Sequence, residues 1–524
     1  MPPRAPAPFG QGTRGGLAVW LDPLYAAGEM RAVDAWAIEE QGVASLDLME
    51  RAGIGLARAV VRVARPGPIR IVVGKGNNGG DGMVVARLLR EEGREVEVIA
   101  PAPLDGLTGD ALANLERLPG AAPEPLEPGG LERSGAVVDA LLGTGFSGEP
   151  REPIAGAIAA INAQGAPVVA CDVPSGVDAS TGEVAGEAVR ATLTVTFHAP
   201  KAGLYVAPGA FYSGEVETVE IGIPRGAPAP SGLGLISERV LAGYPRRATE
   251  GSKFSSGVVV VVGGARGMTG APTMAALAAQ RAGAGYVQVA VPAPAQTVLE
   301  LRLLEAMTRG LADDDGAHSP AGVPELAEMA ERAGAVVLGP GMGRTGSAVS
   351  FARESAQTLE VALLLDADAL NAHAGRLESL RSRTAPTVLT PHAAELGRLL
   401  ERSPDEVSAH RLCCAREAAR RSGAIVLLKG HDTIVADPGG PVAVSPGGTP
   451  ALASAGTGDV LSGLIGALLA KGVDPFQAAA LGALAHVRAG LVAADRRGAD
   501  HVIAGDVIEA LPAGLSTRPP SGSR

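Results

Sequence analysis

The stretch from Ala453 to Gly463 places Gly456, Gly458 and Asp459 directly before a run of apolar residues at helical spacing. The pattern predicts a glycine-rich turn leading into a helix whose first backbone N–H groups have no partner within the helix. Such donors, together with the helix dipole, suit an anion such as a phosphoryl group in transfer. A carboxylate beside that anion suits a base that takes a proton from a hydroxyl group, so we predict Asp459 as a catalytic residue. A helix cap is the structural alternative.

A second polar turn, from Gly74 to Gly82, follows a predicted strand and satisfies the glycine spacing of dinucleotide-binding folds. Asn77, Asn78 and Asp81, however, would fill the place of a pyrophosphate, and the charge of Asp81 would repel it. The turn therefore favours a neutral or cation-containing site, with a merely tight strand-to-helix turn as the structural alternative.

Two later strands of this half also end in polar turns, one at Asp139 with residues 143–148 and one at Asp172 with residues 173–176. Because ligands of open α/β sheets bind outside the carboxyl ends of the strands, we expect these turns to converge with the turn of Asn77. Oxygen ligands without a histidine or cysteine cluster suit an alkali or alkaline-earth ion better than zinc. Each aspartate alone could instead cap a helix.

The second half of the chain carries five further turns that follow predicted strands. They are residues 263–272, 339–343, 366–368, 390–392 and 429–433. Lys429 offers a cation for the phosphates of a nucleotide, whereas His392 suits a helix cap and a site residue equally.

Alternating strands and helices position all of these turns, which indicates doubly wound parallel sheets. One alternation precedes the Pro- and Gly-rich residues 224–250 and another begins at Val258, so we predict an α/β protein of two domains. Residues 1–22 are rich in Pro, Gly and Arg and are predicted to be a disordered extension, and residues 512–524 a disordered tail.

Composition limits the partners. The 524 residues carry a net charge of −11, which argues against a nucleic-acid partner. The chain has 46% hydrophobic residues but no stretch that we expect to reach the roughly 20 apolar residues of a membrane span, and its start lacks the apolar core of a signal peptide. Three cysteines give neither a disulfide framework nor a metal cage. We therefore expect a cytoplasmic enzyme of small molecules, without a membrane partner.

The motifs together resemble a known pair of enzymes. Residues 23–222, through the turns at 76–82, 139–143 and 172–176, resemble the NAD(P)H-hydrate epimerase domain. Residues 235–511, through the five turns above and residues 456–459, resemble the ADP- or ATP-dependent NAD(P)H-hydrate dehydratase of the ribokinase-like superfamily. In this order the two resemble bacterial bifunctional nicotinamide-nucleotide repair enzymes. The resemblance implies a Rossmann-like epimerase domain over residues 23–228 and a ribokinase-like dehydratase domain over residues 235–511.

The resemblance also implies roles for individual residues. The epimerase substrate would contact Asn77, Asn78, Gly79, Gly80, Asp81, Gly143, Thr144, Gly145, Phe146, Ser147, Gly148, Glu149 and Asp172. Potassium would be held by Asn78, Asp139 and Ser175. The dehydratase substrate would contact Ala271, Gly341, His392 and Asp459, and ADP with Mg²⁺ would contact Lys429, Gly430, His431, Asp432, Thr433 and Gly458. His431 and Asp432 depart from the smaller residues common in that loop.

The implied activity is the repair of hydrated NADH and NADPH. One domain would interconvert the R and S epimers, with Asp172 as its acid–base residue, and the other would dehydrate the S form at the expense of ADP or ATP. The alternative is a ribokinase-like kinase of a small alcohol fused to a non-catalytic binding module. We expect a homo-oligomer, but the sequence gives neither its size nor the preference between ADP and ATP or between NADH hydrate and NADPH hydrate.

Overall fold

A computed structural model describes residues 13–14, 17–230 and 232–517 of the chain. These residues form two compact units. The N-terminal unit is Pro23–Leu233, and the C-terminal unit combines Leu17–Asp22 with the residues from Gly234 onward. The change of unit at residues 233–234 falls within the Pro- and Gly-rich stretch predicted as the boundary.

The N-terminal unit contains a sheet of six parallel strands, in the order Val96–Ile99, Ile69–Val73, Ala136–Ala140, Val168–Cys171, Leu193–Phe197 and Glu215–Val219. Its α-helices are Ala27–Ala35, Ser45–Val63, Asn77–Glu91, Gly109–Glu116 and Ile154–Ala163, with a π-helical turn at Trp36–Glu40 and 3₁₀ turns at Ala202–Leu204 and Gly209–Phe211. Ile71 and Val72 belong to two different apolar clusters, one on each face of the sheet. The predicted doubly wound sheet is thus confirmed.

The C-terminal unit is built on one large sheet, in the order Met307–Leu311, Tyr286–Pro292, Val258–Val262, Ala335–Leu338, Ala362–Leu365, Thr387–Leu389, Ile425–Leu428, Ile434–Ala436, Val442–Val444, Leu233–Ile236 and Leu21–Pro23. The first seven strands are parallel, and the next two pairings are antiparallel. Two small two-stranded sheets join Thr13–Arg14 with Leu17–Ala18 and Asp313–Asp314 with Ala317–His318.

Helices surround this sheet, and they confirm the second predicted α/β alternation. The α-helices are Gly270–Arg281, Gln296–Glu300, Val323–Ala330, Gly346–Thr358, Ala367–Ala372, Ala393–Leu400, Pro404–Ala409, Arg411–Ser422, Thr457–Ala470, Pro475–Arg497 and Ala504–Gly514. The 3₁₀ turns are Glu238–Gly243, Ala293–Ala295, Pro320–Gly322, Leu377–Ser382, Pro450–Leu452 and Ala499–His501.

The predicted disordered extension is wrong for residues 17–22. Leu17, Trp20 and Leu21 are buried in the core of the C-terminal unit. The Trp20 ring lies 5.4 Å from that of Phe476, centroid to centroid, and the Trp20 carbonyl oxygen accepts hydrogen bonds from the backbone N–H and hydroxyl of Ser237. The segment is ordered because its apolar side chains fill a core otherwise built mainly from small residues. Residues 1–12 lie outside the described residues.

The predicted disordered tail is likewise wrong for its first residues. Pro512 lies within the helix Ala504–Gly514, and the following Leu515 is buried in the same core. The prediction takes Pro512 as the end of structure, but the helix continues for two residues beyond it. Residues 518–524 lie outside the described part of the chain.

One helix, Pro475–Arg497, is long and apolar enough to cross a membrane by length and composition, which corrects the expectation that no stretch reaches that size. The structure buries 78% of its most apolar window inside the C-terminal unit. Its apolar character on all sides is that of a central helix in a large core.

Candidate active sites

A cavity of about 740 Å³ lies at the carboxyl ends of the strands of the N-terminal sheet. Its lining includes these predicted substrate contacts: Asn77, Asn78, Asp81, Gly143, Thr144, Gly145, Phe146 and Asp172. Gly79, Gly80, Ser147, Gly148 and Glu149 belong to the same turns but are not among the described residues that line it. The helix Ala27–Ala35 contributes Arg31 and Asp34, which the sequence did not identify.

Two of the predicted contact glycines have a packing role. A side chain at Gly79 would collide with the carbonyl oxygen of Gly74, and one at Gly80 would come within 2.8 Å of the Met49 sulfur. Glycine at both positions lets the helix Asn77–Glu91 begin directly against the preceding turn, which brings Asn78 and Asp81 to the cavity.

The predicted potassium ligands converge around Leu142. Asn78 Nδ2 donates to the Leu142 carbonyl oxygen at 3.0 Å, and the Leu142 N–H donates to Ser175 Oγ at 2.9 Å. Ser175 Oγ donates to Asp139 Oδ1 at 2.6 Å, and Ser175 N donates to Asp139 Oδ2 at 2.8 Å. The three predicted residues, which come from three separate strand ends, therefore form one buried cluster.

This cluster fits a monovalent cation. Asp139 is fully buried, and burial raises the pKa of its carboxyl to about 6 in spite of its hydrogen bonds from Ser175 and from the Leu141 N–H. A cation beside it would compensate the buried charge. Within the described residues no group of three or more His, Cys, Asp or Glu side chains could hold a metal ion. A single carboxylate with hydroxyl, amide and carbonyl oxygens suits a large monovalent ion better than Mg²⁺.

Asp172 is fixed by several hydrogen bonds to one of its oxygens, and the central donor is a lysine. Its Oδ1 accepts from Lys201 Nζ at 2.6 Å, from Thr196 Oγ1 at 3.0 Å and from the Phe197 N–H at 3.3 Å. The backbone of Asp172 is left-handed, with a φ of 64°, a conformation that costs free energy in a non-glycine residue and is frequent at functional sites. The sequence did not identify Lys201 as a site residue. The one feature that distinguishes it in the sequence is that lysine is rare in this chain.

Asp81 and Asp34, which line the cavity, have raised pKa values. Burial raises the pKa of Asp81 well above its usual range, and the charges of Asp172 and Asp34 raise it further. Burial also raises the pKa of Asp34. The cavity thus combines a carboxylate at Asp172 that is paired with Lys201 and a carboxyl at Asp81 whose pKa is raised by burial.

In the C-terminal unit, the predicted anion turn leads into the helix Thr457–Ala470. Gly456 has a φ of 91°, and a side chain there would come within 2.5 Å of the Met274 sulfur. Asp459 lies in the first turn of this helix, and burial raises the pKa of its carboxyl to about 7, with a further contribution from Asp366 that Lys429 partly opposes. A carboxyl titrating there can accept a proton at neutral pH.

Lys429 joins three predicted turns in one site. Its Nζ lies 2.9 Å from Asp366 Oδ1 and 3.6 Å from Glu395 Oε2. Burial would lower the pKa of Lys429, but Asp366 and Glu395 outweigh burial and raise it, so the ammonium stays charged. A Cβ built on Gly458 would lie 3.6 Å from Lys429 Nζ, which places the cation beside the anion turn.

His392 caps a helix. Its Nδ1 accepts from the N–H groups of Ala394 and Glu395, and Glu395 Oε2 accepts from the His392 N–H at 2.9 Å. The capping interpretation of His392 is therefore confirmed, while its side chain stays half exposed. Glu395 connects this cap to Lys429.

The other predicted dehydratase contacts fall into two groups. Gly341 has a φ of 62°, and a Cβ there would lie 3.1 Å from that of Ala271, so these two predicted residues are neighbours. Asp432, in contrast, is buried and paired with Arg411, 2.9 Å between Oδ1 and Nε. That ion pair gives Asp432 a role in holding the loop 429–433, in which His431 is exposed and Thr433 Oγ1 donates to the Gly430 carbonyl oxygen.

Comparisons with known proteins match both units. A family model described as NAD(P)H-hydrate dehydratase matches residues 259–513, and one described as YjeF-related protein N-terminus matches residues 45–203. The chain is 41% identical over 535 residues to a bifunctional NAD(P)H-hydrate repair enzyme of Salinibacter ruber, covering 96% of this chain and 98% of that one. It is 40% identical to the enzyme of that name from Moorella thermoacetica, covering 93% and 96%.

Among solved structures, the chain is similar to an ADP/ATP-dependent NAD(P)H-hydrate dehydratase from Bacillus subtilis that was co-crystallised with ATP and Mg²⁺. The identity is 28% and the TM-score 0.47, over 53% of this chain and 96% of that chain.

Proposed function

The chain belongs to the family of bifunctional NAD(P)H-hydrate repair enzymes, and we propose that its two sites divide the two reactions between the two units. The protein epimerises the R and S forms of hydrated NADH and NADPH, and it dehydrates the S form back to the coenzyme with ADP or ATP, giving AMP or ADP and phosphate. The observation that carries the assignment of the dehydratase site is the proximity of Asp459, Lys429 and Asp366 at the start of the helix Thr457–Ala470.

In the dehydratase site, Asp459 would take the proton of the ring hydroxyl as that oxygen attacks the terminal phosphoryl group of the nucleotide. The N–H groups of residues 458 and 459 and the ammonium of Lys429 would support the charge on the transferring phosphoryl group, whereas the Thr457 N–H donates to the Ser454 carbonyl oxygen. The hydroxyl, a poor leaving group, is thereby converted into a phosphate. The C–O bond then breaks with its electrons leaving on the phosphate, and the adjacent ring carbon loses a proton to water as the ring double bond forms. Asp366, which accepts from Ser462 Oγ at 2.7 Å as well as from Lys429, fixes the position of the cation.

Mg²⁺ would enter this site with the nucleotide. Mg²⁺ is usually bound by one or two carboxylates together with substrate phosphates, and Asp366, which lies close enough to raise the pKa of Asp459, would be the carboxylate that this site offers, leaving Asp459 free as the base. The metal would neutralise phosphate charge. We propose ADP or ATP as the donor, bound by the loop 429–433 and Gly458 beside Lys429, and the hydrated dinucleotide beside Ala271, Gly341 and His392.

The pH dependence of dehydration provides one test of the base. Asp459 is active as the carboxylate, and its pKa is about 7. Activity should therefore be present above pH 7 and fall on the acid side by about tenfold per pH unit. The measurement is kcat with the S epimer and saturating nucleotide across pH 5 to 9, in buffers of constant ionic strength. A rate that stays constant between about pH 5 and 7 would contradict Asp459 as the base.

In the epimerase site, the large cavity of the N-terminal unit would hold the hydrated nicotinamide ring near Asp172 and Asp81. The cation held by Asn78, Asp139 and Ser175 would supply positive charge beneath the turn of residues 142–146. Since Leu142 contacts two of these residues, an occupied cation site would fix the turn that contacts the substrate.

Replacing Asp139 with Ala should weaken epimerisation by about 10- to 100-fold, the range seen when the support of a metal site is lost. Dehydration of the S epimer in the other unit should stay unchanged. Both activities are measured on one preparation, first in potassium and then in a large organic cation. An epimerase rate that responds to neither the substitution nor the cation exchange would rule out the ion site.

The test of the whole assignment is recovery of NADH absorbance from a mixture of both hydrate epimers, with ADP or ATP supplied to the purified protein. Inorganic phosphate should appear in step with NADH. A kinase of a small alcohol would instead yield a stable phosphorylated product and no absorbance, and the same assay with each nucleotide and with NADPH hydrate measures the preferences.

We also propose that the protein works in the cytoplasm as a homo-oligomer with small-molecule partners alone. The observation that motivates an oligomer is the exposure of two large apolar side chains, Leu301 at 79% and Leu304 at 86%, shortly before the edge strand Met307–Leu311 in the chain. Exposed apolar side chains and edge strands both favour association.

A further inference from the structure

Lys201 is an almost fully buried lysine, with 2% of its surface exposed, and it lines the epimerase cavity. Its ammonium donates to Asp172 Oδ1 at 2.6 Å, to Thr196 Oγ1 at 3.0 Å and to the Phe197 carbonyl oxygen at 2.8 Å. These acceptors match the three donors of an ammonium group. A buried ammonium group whose three N–H donors are all used has none left for the substrate. Lys201 must therefore act through the groups that it contacts.

Asp172 is the partner that reaches the cavity. One of its oxygens is occupied by Lys201, Thr196 and the Phe197 N–H, and its left-handed backbone directs the residue away from the path of the preceding strand. The ion pair compensates for the loss of water around both charges. Asp172 is therefore a fixed carboxylate rather than a mobile one.

A second carboxyl of different character lies in the same cavity. Asp81 comes from the helix Asn77–Glu91, on a different element from Asp172. Burial, followed by the charges of Asp172 and Asp34, raises the pKa of Asp81 well above its usual range, and Lys201 opposes this only in part. Within the described residues, the other charged groups that line the cavity are Arg31, Asp34, Lys75 and Asp110.

We propose that Lys201 is a positioning residue that holds Asp172 as the proton acceptor of epimerisation, and that Asp81 is the matching proton donor on the other face of the ring. The inference rests on the proposed function of this unit as the epimerase. Enzymes that invert a carbon centre need an acid and a base of opposite protonation state, and two carboxyl groups in unlike environments provide them.

The chemical step balances with these groups and water alone. The carbon that carries the hydroxyl is bonded to the ring nitrogen. Its C–O bond breaks as the nitrogen lone pair forms a C=N⁺ bond, and the departing oxygen takes the proton of Asp81 and leaves as water. A water molecule then adds to the opposite face, the electrons of the C=N⁺ bond return to nitrogen, and Asp172 takes the proton of the added water. One epimerisation leaves Asp81 ionised and Asp172 protonated. In that state the same two groups catalyse the reverse reaction, and proton exchange with solvent water restores the starting state.

The test compares Lys201→Met, Lys201→Arg, Asp172→Asn and the double variant Lys201→Met with Asp172→Asn in the full chain. Lys201→Met should lower kcat for epimerisation by about 100-fold or more with KM close to wild type. Lys201→Arg, which keeps the charge, should recover part of that loss. In the Asp172→Asn background Lys201→Met should add almost nothing, because both changes remove one function. Asp81→Asn should lower kcat without lowering dehydration.

Arg62→Met is the matched control, since it removes a cation from an exposed ion pair with Glu217 in the same unit and leaves the cavity untouched. Dehydration by each preparation and the thermal unfolding of each variant report folding. Wild-type protein that does not epimerise would overturn the proposed function itself. If wild type epimerises, the inference is overturned by a Lys201→Met variant with wild-type kcat, or by additive losses in the double variant. If Lys201→Met does not fold, the test compares the kcat of Lys201→Arg with that of Asp172→Asn. A folded Lys201→Arg variant whose kcat for epimerisation is lower than that of Asp172→Asn overturns the proposed role.

Discussion

Replacing Asp459 with Asn is expected to reduce dehydration by about 100- to 10,000-fold while nucleotide binding stays close to wild type. The amide keeps the shape of the side chain but cannot accept the proton of the attacking hydroxyl. Asp459 lies in the first turn of a helix, and in the proposed site the N–H groups of that turn and the neighbouring Lys429 would bind the phosphates, so the change leaves those groups in place. The loss should therefore appear in kcat, with little change in the Kd for ADP.

The measurements for this variant are the rate of NADH recovery from the S epimer and the affinity for ADP by calorimetry. Asp495→Asn, an exposed substitution of the same chemistry in the same unit, is the control and should be silent. The epimerase of the same preparation should also keep its rate, because Asp459 lies in the other unit. NADH recovery near the wild-type rate would remove Asp459 from the mechanism.

The active-site turns are predictable because their residues depend on local sequence. Glycines that a turn or a close contact requires, such as Gly79 and Gly456, can be recognised in the sequence because they directly precede or begin a predicted helix. Parallel strands also bring their carboxyl ends to one edge of the sheet. For this reason the order of strands and turns along the chain is enough to predict that Asn78, Asp139 and Ser175 meet.

Lys201 is not predictable in the same way. It belongs to no glycine-rich turn, and only the position of the strand Leu193–Phe197 beside Val168–Cys171 brings its ammonium to Asp172. Its partners lie at sequence separations of 4, 5 and 29 residues, and no periodicity encodes such a set. Buried ion pairs of this kind depend on tertiary structure alone.

The sequence also predicts the wrong helix ends between residues 392 and 421, and the cause of this error is local. The sequence predicts one helix over residues 392–421, but the structure has three, with breaks at Glu401 and at His410. Glu401 adopts a left-handed φ of 59°, and Ser403 caps the helix that begins at Pro404. The Ser-Pro pair is a readable start signal, whereas the left-handed Glu401 is not, since this conformation usually selects glycine or asparagine.

The prediction for residues 17–22 is wrong because composition favours disorder up to residue 16 and the short apolar segment that follows has no partner nearby in sequence. Its partners are more than 200 residues away, at Ser237 and Phe476. A fragment that begins at residue 234 would therefore lack part of the core of its own unit. Cutting the chain between residues 224 and 250 would therefore separate the C-terminal unit from residues 17–22 of its own core.

Replacing Trp20 with Ala should accordingly destabilise the C-terminal unit by about 3–5 kcal/mol, the usual cost of removing a buried aromatic side chain. Trp20 is 7% exposed and its ring packs against that of Phe476 at an interplanar angle of 44°, so its loss would leave a cavity in the core of the C-terminal unit. The measurement is the urea concentration at which dehydratase activity is half lost after equilibration. Val19→Ala, at a neighbouring side chain that is 45% exposed, is the matched control and should change that midpoint little. The fragment beginning at residue 234 should show at least the loss seen for Trp20→Ala, because it lacks the whole segment. Equal midpoints for the wild type, the Trp20 variant and the fragment would mean that residues 17–22 do not contribute to the core of this unit.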